Sequence, residues 1–213
     1  MICGVDEAGK GSVLGPMVIA AVGVRTTDIF SVIEVKDSKQ LSPQERERLF
    51  VLIKKQCSIA IVVISAAEID TIRREMTMNA CVARAHGEVI QKLKPRTAYV
   101  DACDVNPVRY AETVKSHLNI ACEIVSEHHA DSTYPVVSAA SIIAKVTRDR
   151  EIEKLAKKYG NIGSGYPSDP NTLAYLSAYI DEHRSPPPIA RKSWKTVSVM
   201  LAKKSQSNLS AFM

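Results

Sequence analysis

The sequence predicts an α/β domain, with a sheet that is at least partly parallel and covered on both faces, followed by a C-terminal helical extension. Two observations carry this expectation. Short β-branched runs alternate with stretches of helical period across the middle of the chain, and such alternation is what parallel crossovers require. After Gly160 the character changes to a Gly- and Pro-rich loop, a capped helix, a proline break and a basic segment. With 213 residues, 46% of them hydrophobic and 24% charged, the chain is long enough to bury a real core.

Taken in order, residues 2–8 and 17–24 (MVIAAVGV) read as strands joined in a hairpin through GKGSVLGP. LSPQERERLFVLIKKQ opens a helix with Ser42 as N-cap, Pro43 at the first helical position and Glu45 three residues after the cap, a capping box. SIAIVVISA is a buried strand, and AAEIDTIRREM and TMNACVARAHGEVIQKL have helical apolar spacing. KPRTAYVDA supplies a strand over 97–101 ending on Asp101, and LNIACEIVSEHH supplies another. From Pro135 one long helix is expected, its first half small and apolar, its second half charged. SDPNTLAYLSAYIDEHR reads as a helix capped by Ser168 or Asp169, and a basic helix follows SPPPI. The expected organisation is an α/β core over 1–158, a helical extension over 159–205 and a flexible tail over 206–213.

The net charge of +5 is concentrated at one end. From His183 onward there are six basic residues (Arg184, Arg191, Lys192, Lys195, Lys203, Lys204) and no acidic one, against 22 basic and 23 acidic in residues 1–182. A basic segment of this kind favours a polyanionic partner, because phosphate contacts release counterions; a solvated tail is the plainer explanation. Five scattered cysteines with no C-x-x-C pair read as buried thiols rather than disulfides or zinc ligands. No window approaches the apolar stretch of about 20 residues that a membrane span needs, and no basic, cleavable leader precedes the first strand. A cytoplasmic monomer with no membrane contact is expected.

Three segments run into acids: GVDE at 4–7, AYVD at 98–101 and HHAD at 128–131. Ligands of α/β sheets gather beyond strand ends, so these carboxylates can converge. Asp6, Glu7, Asp101 and Asp131 cannot all stay ionised together without compensation, and a hard divalent cation with oxygen ligands supplies it. Two such ions about 4 Å apart activate water and stabilise the leaving oxygen of a phosphodiester displacement. Any one of these acids alone would more simply cap a strand end or meet a lysine. Neighbouring strand residues face opposite ways, so Asp6 and Glu7 are expected to meet only where the strand bends or loosens, which the glycines behind them permit. Two rivals fail on detail: GKGSVLG lacks the G-K-[ST] and G-x-G-x-x-G spacings of phosphate loops, and Ser141 with Lys145 is not an S-x-x-K pair but small-residue helix packing.

GVDEAGKG with GP close behind, VKDSKQLS, AYVDA, HHADSTYPVVSAASIIAKV, GSGYPSDP and KSWKT together resemble ribonuclease HII, particularly its archaeal form, over essentially the whole chain. The resemblance implies a ribonuclease H-like fold, a central mixed five-stranded sheet flanked by helices, with a C-terminal helical region completing the substrate groove. It implies a Mg²⁺- or Mn²⁺-dependent endonuclease that hydrolyses the RNA strand of RNA/DNA hybrids and cuts 5′ of ribonucleotides embedded in duplex DNA, leaving 3′-OH and 5′-phosphate ends. The family's metal-binding acids fall on Asp6, Glu7, Asp101 and Asp131. Its glycine loop falls on Gly9, Lys10 and Gly11, whose backbone would read the 2′-hydroxyl, the group that separates RNA from DNA. Its junction-sensing tyrosine falls on Tyr166, placed to stack on the next sugar; without the resemblance, a turn anchor would be the simpler role.

Three basic positions and a tail complete the expectation. Lys39 is assigned to phosphate contact, and Lys192 and Lys195, on either side of Trp194, to the DNA strand, with Trp194 itself better read as core. QSNLSAFM resembles a sliding-clamp-binding box, with Gln206, Leu209 and Phe212 in register and Met213 departing from the pattern. The alternatives to a ribonuclease are a non-catalytic basic nucleic-acid-binding protein and a metal-dependent DNA nuclease of the same broad fold.

Overall fold

The computed structural model describes residues 1–33 and 41–210, with side chains at 1–31 and 41–203. Lys39 and Phe212 lie outside the described residues, as do the side chains of Gln206 and Leu209. The described elements are β1 (Ile2–Ala8), β2 (Met17–Val24), α1 (Asp28–Ile33), α2 (Pro43–Gln56), β3 (Ser58–Ile64), α3 (Ala66–Ile72), α4 (Met78–Leu93), β4 (Thr97–Asp101), α5 (Pro107–Lys115), β5 (Glu123–Glu127), α6 (Ala130–Thr133), α7 (Pro135–Tyr159), α8 (Pro170–His183) and α9 (Lys195–Ser210).

The five strands form one mixed sheet in the order β3-β2-β1-β4-β5, as the resemblance implies. β1 runs antiparallel to β2 and parallel to β4, and β4 runs parallel to β5. The hairpin and the alternating strands and helices are therefore both present. β2 is buried at every residue, which explains why MVIAAVGV is apolar on both faces instead of alternating. The Ser42 capping box forms as expected, with Ser42 accepting from the Glu45 N–H and Glu45 accepting from the Ser42 N–H. Asp169, not Ser168, caps α8 by accepting from the Asn171 N–H at 2.9 Å. Two short helices, α1 and α6, were not expected from periodicity; six and four residues are too few to show a 3.6-residue repeat.

The chain divides into two compact units. One comprises Met1–Ala8, Val18–Val63 and Met76–Thr147. Its core joins β2, α2 and the apolar first half of α7, including Val22, Phe50, Val137, Ile142 and Ile143. The approach of α7 to β1 is set by Gly4, where a β-carbon would lie 2.3 Å from the Val136 carbonyl, so any larger residue would push the helix off the strand. The other unit comprises Gly9–Met17, Ile64–Glu75 and the chain from Arg148 onward. Its smaller core holds Val13, Leu14, Ile152, Ile162, Leu176, Ile180 and Val197, with Trp194 partly buried against it. Among the described residues no helix is long and apolar enough to cross a membrane.

Candidate active site

In the first unit the acids sit where β1 and β4 separate. The β1–β4 ladder ends at Val5 opposite Val100, so Asp6 and Asp101 are the next residue of each strand beyond the last pair. On the other side of β1, pairing with β2 continues without a break through Asp6, Glu7 and Ala8. The loosening is therefore one-sided: β1 parts from β4 beyond Val5 while its ladder with β2 continues. Asp6 and Glu7 project to opposite faces as the pleat dictates. Asp6 shares Gly4's face, under α7, and hydrogen-bonds Ser141. Glu7 faces α4 and the loop after β4, where Cys103 Sγ–H donates to its Oε1 at 3.1 Å and His86 Nε2 stands 3.4 Å from its Oε2.

Asp6 is 7% exposed. Burial, followed by the negative charges of Glu7 and Asp101, pushes its carboxyl well above the ordinary aspartate range, against the opposing hydrogen bonds from Ser141 and the Glu7 N–H. The Glu7 N–H donates to Asp6 Oδ1 at 2.7 Å. Asp101 Oδ1 accepts from the Ala130 N–H at 2.9 Å, which ties the end of β4 to the residue before Asp131. Asp131 is buried, but it lies in α6 and not at a strand end; the chain reverses between β5 and α6 through His129 in a left-handed conformation (φ 57°). Histidine is, with Asn and Asp, among the non-glycine residues that adopt this conformation most readily, but HHAD has no Gly or Pro to mark the turn.

An all-carboxylate set with one member forced towards its neutral form by burial and by two anionic neighbours fits a hard divalent cation. As folded, the side chains are held by the protein's own donors. Among the described residues no three His, Cys, Asp or Glu groups stand close enough together to hold an ion.

The second unit holds the glycine loop and Tyr166, built together by two arginines that sequence reasoning passed over. Arg191 is fully buried and donates from Nε to the Gly15 carbonyl (3.2 Å), from Nη1 to the Lys10 carbonyl (2.8 Å) and from Nη2 to the Gly9 carbonyl (2.6 Å). Arg148, 2% exposed, lays its guanidinium 4.6 Å from the centre of the Tyr166 ring and donates to the Ser164 carbonyl at 3.0 Å. Val13 and Leu14 N–H groups both donate to the Gly165 carbonyl, joining the two loops directly. Gly9 and Gly11 turn out to be glycines for different reasons. At Gly9 φ is +85° and a β-carbon would lie 2.2 Å from Arg148 Nε; at Gly11 nothing lies within 4 Å of that position. Gly9 shapes the loop, whereas the open side is at Gly11.

Lys192 and Lys195 are exposed, and the segment carrying them is anchored by Asp70, which accepts from the Lys192 and Ser193 N–H groups at 2.8 and 2.9 Å. Trp194 packs on the core of this unit with Arg191 4.9 Å over its ring, the role expected for it. No periodicity marks Asp70, Arg148 or Arg191, because each acts across the chain on backbone groups that sequence does not place. Cys3, Cys81 and Cys122 are buried, Cys57 and Cys103 half-buried, and all five are free thiols.

The family model for ribonuclease HII matches residues 3–197. A ribonuclease HII of Methanoregula boonei is 77% identical over 212 residues, covering 100% of each chain. The Archaeoglobus fulgidus ribonuclease HII, solved in a complex with PCNA, superposes with a TM-score of 0.87 at 44% identity, over 94% of this chain and 96% of that one. Bst ribonuclease HIII, solved in complex with Mn²⁺, superposes with a TM-score of 0.81 at 23% identity, over 96% of this chain and 70% of that one, which is a likeness of fold.

Proposed function

The chain belongs to the ribonuclease HII family, and from that membership, which makes it a type 2 ribonuclease H endonuclease, we propose that it cleaves the RNA strand of RNA/DNA hybrids and cuts 5′ of ribonucleotides embedded in duplex DNA. The observation that carries the proposal is Asp6, at the point where β1 and β4 part, a carboxyl made costly to ionise first by its burial and then by Glu7 and Asp101. Such a carboxyl is a liability for a merely structural protein and an asset for one that binds a cation.

Asp6, Glu7, Asp101 and Asp131 are the residues that would hold Mg²⁺ or Mn²⁺. When bound, the cation supplies charge neutralisation at the scissile phosphate and a more acidic water. The chain's own part is positioning: Ser141 and the Glu7 N–H orient Asp6, and the Ala130 N–H orients Asp101. Gly11, with open space on its Cα, is where backbone groups can come close to a 2′-hydroxyl, while Arg191 holds the carbonyls of Gly9 and Lys10 in place. Tyr166, stacked on Arg148, offers its ring to the sugar that follows, where a second hydroxyl would be crowded. Lys192 and Lys195 on their Asp70-anchored segment attract the DNA strand, and Lys39 adds a phosphate contact.

The test is a duplex with one embedded ribonucleotide, run beside a uniform RNA/DNA hybrid and an all-DNA duplex. With Mg²⁺ or Mn²⁺ the first is expected to be cut at the 5′ side of the ribonucleotide, leaving 3′-OH and 5′-phosphate ends, and the hybrid in its RNA strand. Chelation should stop both reactions, and the all-DNA duplex should stay whole. Binding without turnover would favour the non-catalytic alternative, and cleavage of all-DNA the nuclease alternative.

A second surface concerns the tail. The Archaeoglobus fulgidus relative forms a complex with PCNA, which supports reading Gln206, Leu209 and Phe212 as anchors for a sliding clamp. Truncation after Ser205 is expected to weaken clamp binding at least about tenfold, the effect of losing one or two apolar anchors, with hydrolysis of a short duplex unchanged. Equal clamp affinity with and without the tail would reject the assignment.

A further inference from the structure

Behind Glu7 lies a closed set of polar side chains for which the reaction above has no use. Cys103 donates to Glu7 Oε1, His86 Nε2 faces Glu7 Oε2, and His86 Nδ1 lies 3.1 Å from the Tyr110 hydroxyl. His86 is 0% and Tyr110 1% exposed, with their rings edge-on at 5.9 Å, one on α4 and the other on α5. Burying an imidazole and a phenol is costly unless each polar atom has a partner; the phenol meets His86 Nδ1, while His86 Nε2 forms no hydrogen bond and stands in ion-pair range of one carboxylate oxygen, Glu7 Oε2.

The proton positions follow from what each group can do. A neutral imidazole has one N–H and one bare nitrogen, and the hydroxyl has one proton to give. If the Tyr110 O–H donates to His86 Nδ1, then Nε2 carries the proton and points it at Glu7. If Nδ1 carries the proton, bare Nε2 faces a carboxylate oxygen across 3.4 Å, lone pair against lone pair. Of these two neutral forms only the first attracts.

We infer that Tyr110, His86 and Cys103 are positioning residues that hold the Glu7 carboxylate from behind, Cys103 on one oxygen and His86 on the other. Each oxygen of the carboxylate thus has its own neighbour in the layer formed by α4 and the loop after β4, a hydrogen bond from Cys103 on Oε1 and the His86 imidazole in ion-pair range of Oε2. The inference rests on Glu7 being one of the metal-binding acids. Partners of this kind set the orientation and basicity of a ligand, and their loss weakens metal binding by about tenfold or more.

The test has a spectroscopic arm and a binding arm. In ¹⁵N NMR spectra of the intact protein, His86 is expected to carry a proton on Nε2; an Nε2 without a proton overturns the inference. In the binding arm, Mn²⁺ is titrated against the thermal unfolding of wild type, Tyr110→Phe, Cys103→Ala and Cys103→Ser. The Mn²⁺ concentration giving half of the stabilisation should rise about tenfold in Tyr110→Phe and Cys103→Ala, the range expected for such partners. Cys103→Ser keeps an O–H donor and should recover most of the loss. Unchanged Mn²⁺ response in both Tyr110→Phe and Cys103→Ala overturns the inference. Glu7→Gln separates this from the premise: if Glu7→Gln keeps the wild-type response, the metal-binding role of Glu7 fails, whereas if it alone loses the response, only the positioning role fails.

Discussion

Asp6→Asn is expected to abolish cleavage and at the same time to raise the melting temperature of the metal-free protein. Asparagine has nearly the shape of aspartate, and its Oδ1 keeps the bond from the Glu7 N–H. What it removes is a buried charge flanked by the charges of Glu7 and Asp101. Relieving that repulsion is expected to stabilise by about 1–2 kcal/mol, the size of gain found when a functional compromise is removed. In a chain of this length each kcal/mol is worth about 2–4 °C. Cleavage should fall at least about a thousandfold, roughly 4 kcal/mol of barrier, because the group lost is a ligand for the cation. Mn²⁺ should stabilise the wild type and leave the variant almost unmoved. Asp101→Asn provides the companion case: its Oδ1 can still accept from the Ala130 N–H, so the fold should survive while cleavage is lost. A cleaving Asp6→Asn enzyme, or one that melts lower than wild type, would remove Asp6 from the proposed centre.

The second large effect is expected at Arg191, far along the chain from the acids. Arg191→Met fills similar space but strips the donors from the carbonyls of Gly9, Lys10 and Gly15. A buried acceptor left without a donor costs about 1–3 kcal/mol, so a total loss of about 3–5 kcal/mol is expected, or about 10 °C in melting temperature. Arg191→Lys should fall between, since one ammonium cannot span the positions that a planar guanidinium reaches at once. On the embedded-ribonucleotide duplex both variants should lose more rate than on a uniform hybrid, because the displaced loop is the element assigned to the 2′-hydroxyl. Wild-type stability and an unaltered substrate ratio in Arg191→Met would show that the loop is held by other means.

These two sites also divide what sequence reasoning can reach from what it cannot. The strands, the capped helix at Ser42 and the turn to a helical C-terminal region follow from periodicity and capping, which are properties of neighbouring residues. The candidate acids were legible for a related reason. Asp6 and Asp101 end apolar runs, and a charge in that place asks for an explanation without any knowledge of the fold.

Where the local rules were applied one step too far, pairing corrected them. The acids were expected to meet where β1 bends or loosens; β1 parts from β4 beyond Val5, but its ladder with β2 continues through Asp6–Ala8, which keeps the two carboxylates on opposite faces of the strand. Asp131 proved to sit in a four-residue helix, too short to announce itself. Ser141, dismissed as packing, is a partner of Asp6.

By itself the sequence determined the mixed α/β character, the family motifs and the identities of the acids, because these depend on residue type and on spacing over a few neighbours. Only the tertiary structure decided which face each acid occupies, that Gly9 is shaped by Arg148 while Gly11 stays open, and that Arg191 meets the glycine loop, Asp70 the segment of Lys192, and Tyr110 the imidazole of His86. Those facts arise from contacts between residues up to 182 positions apart. Nothing in a local pattern specifies them, since a buried donor finds its acceptor only once the chain has closed around both.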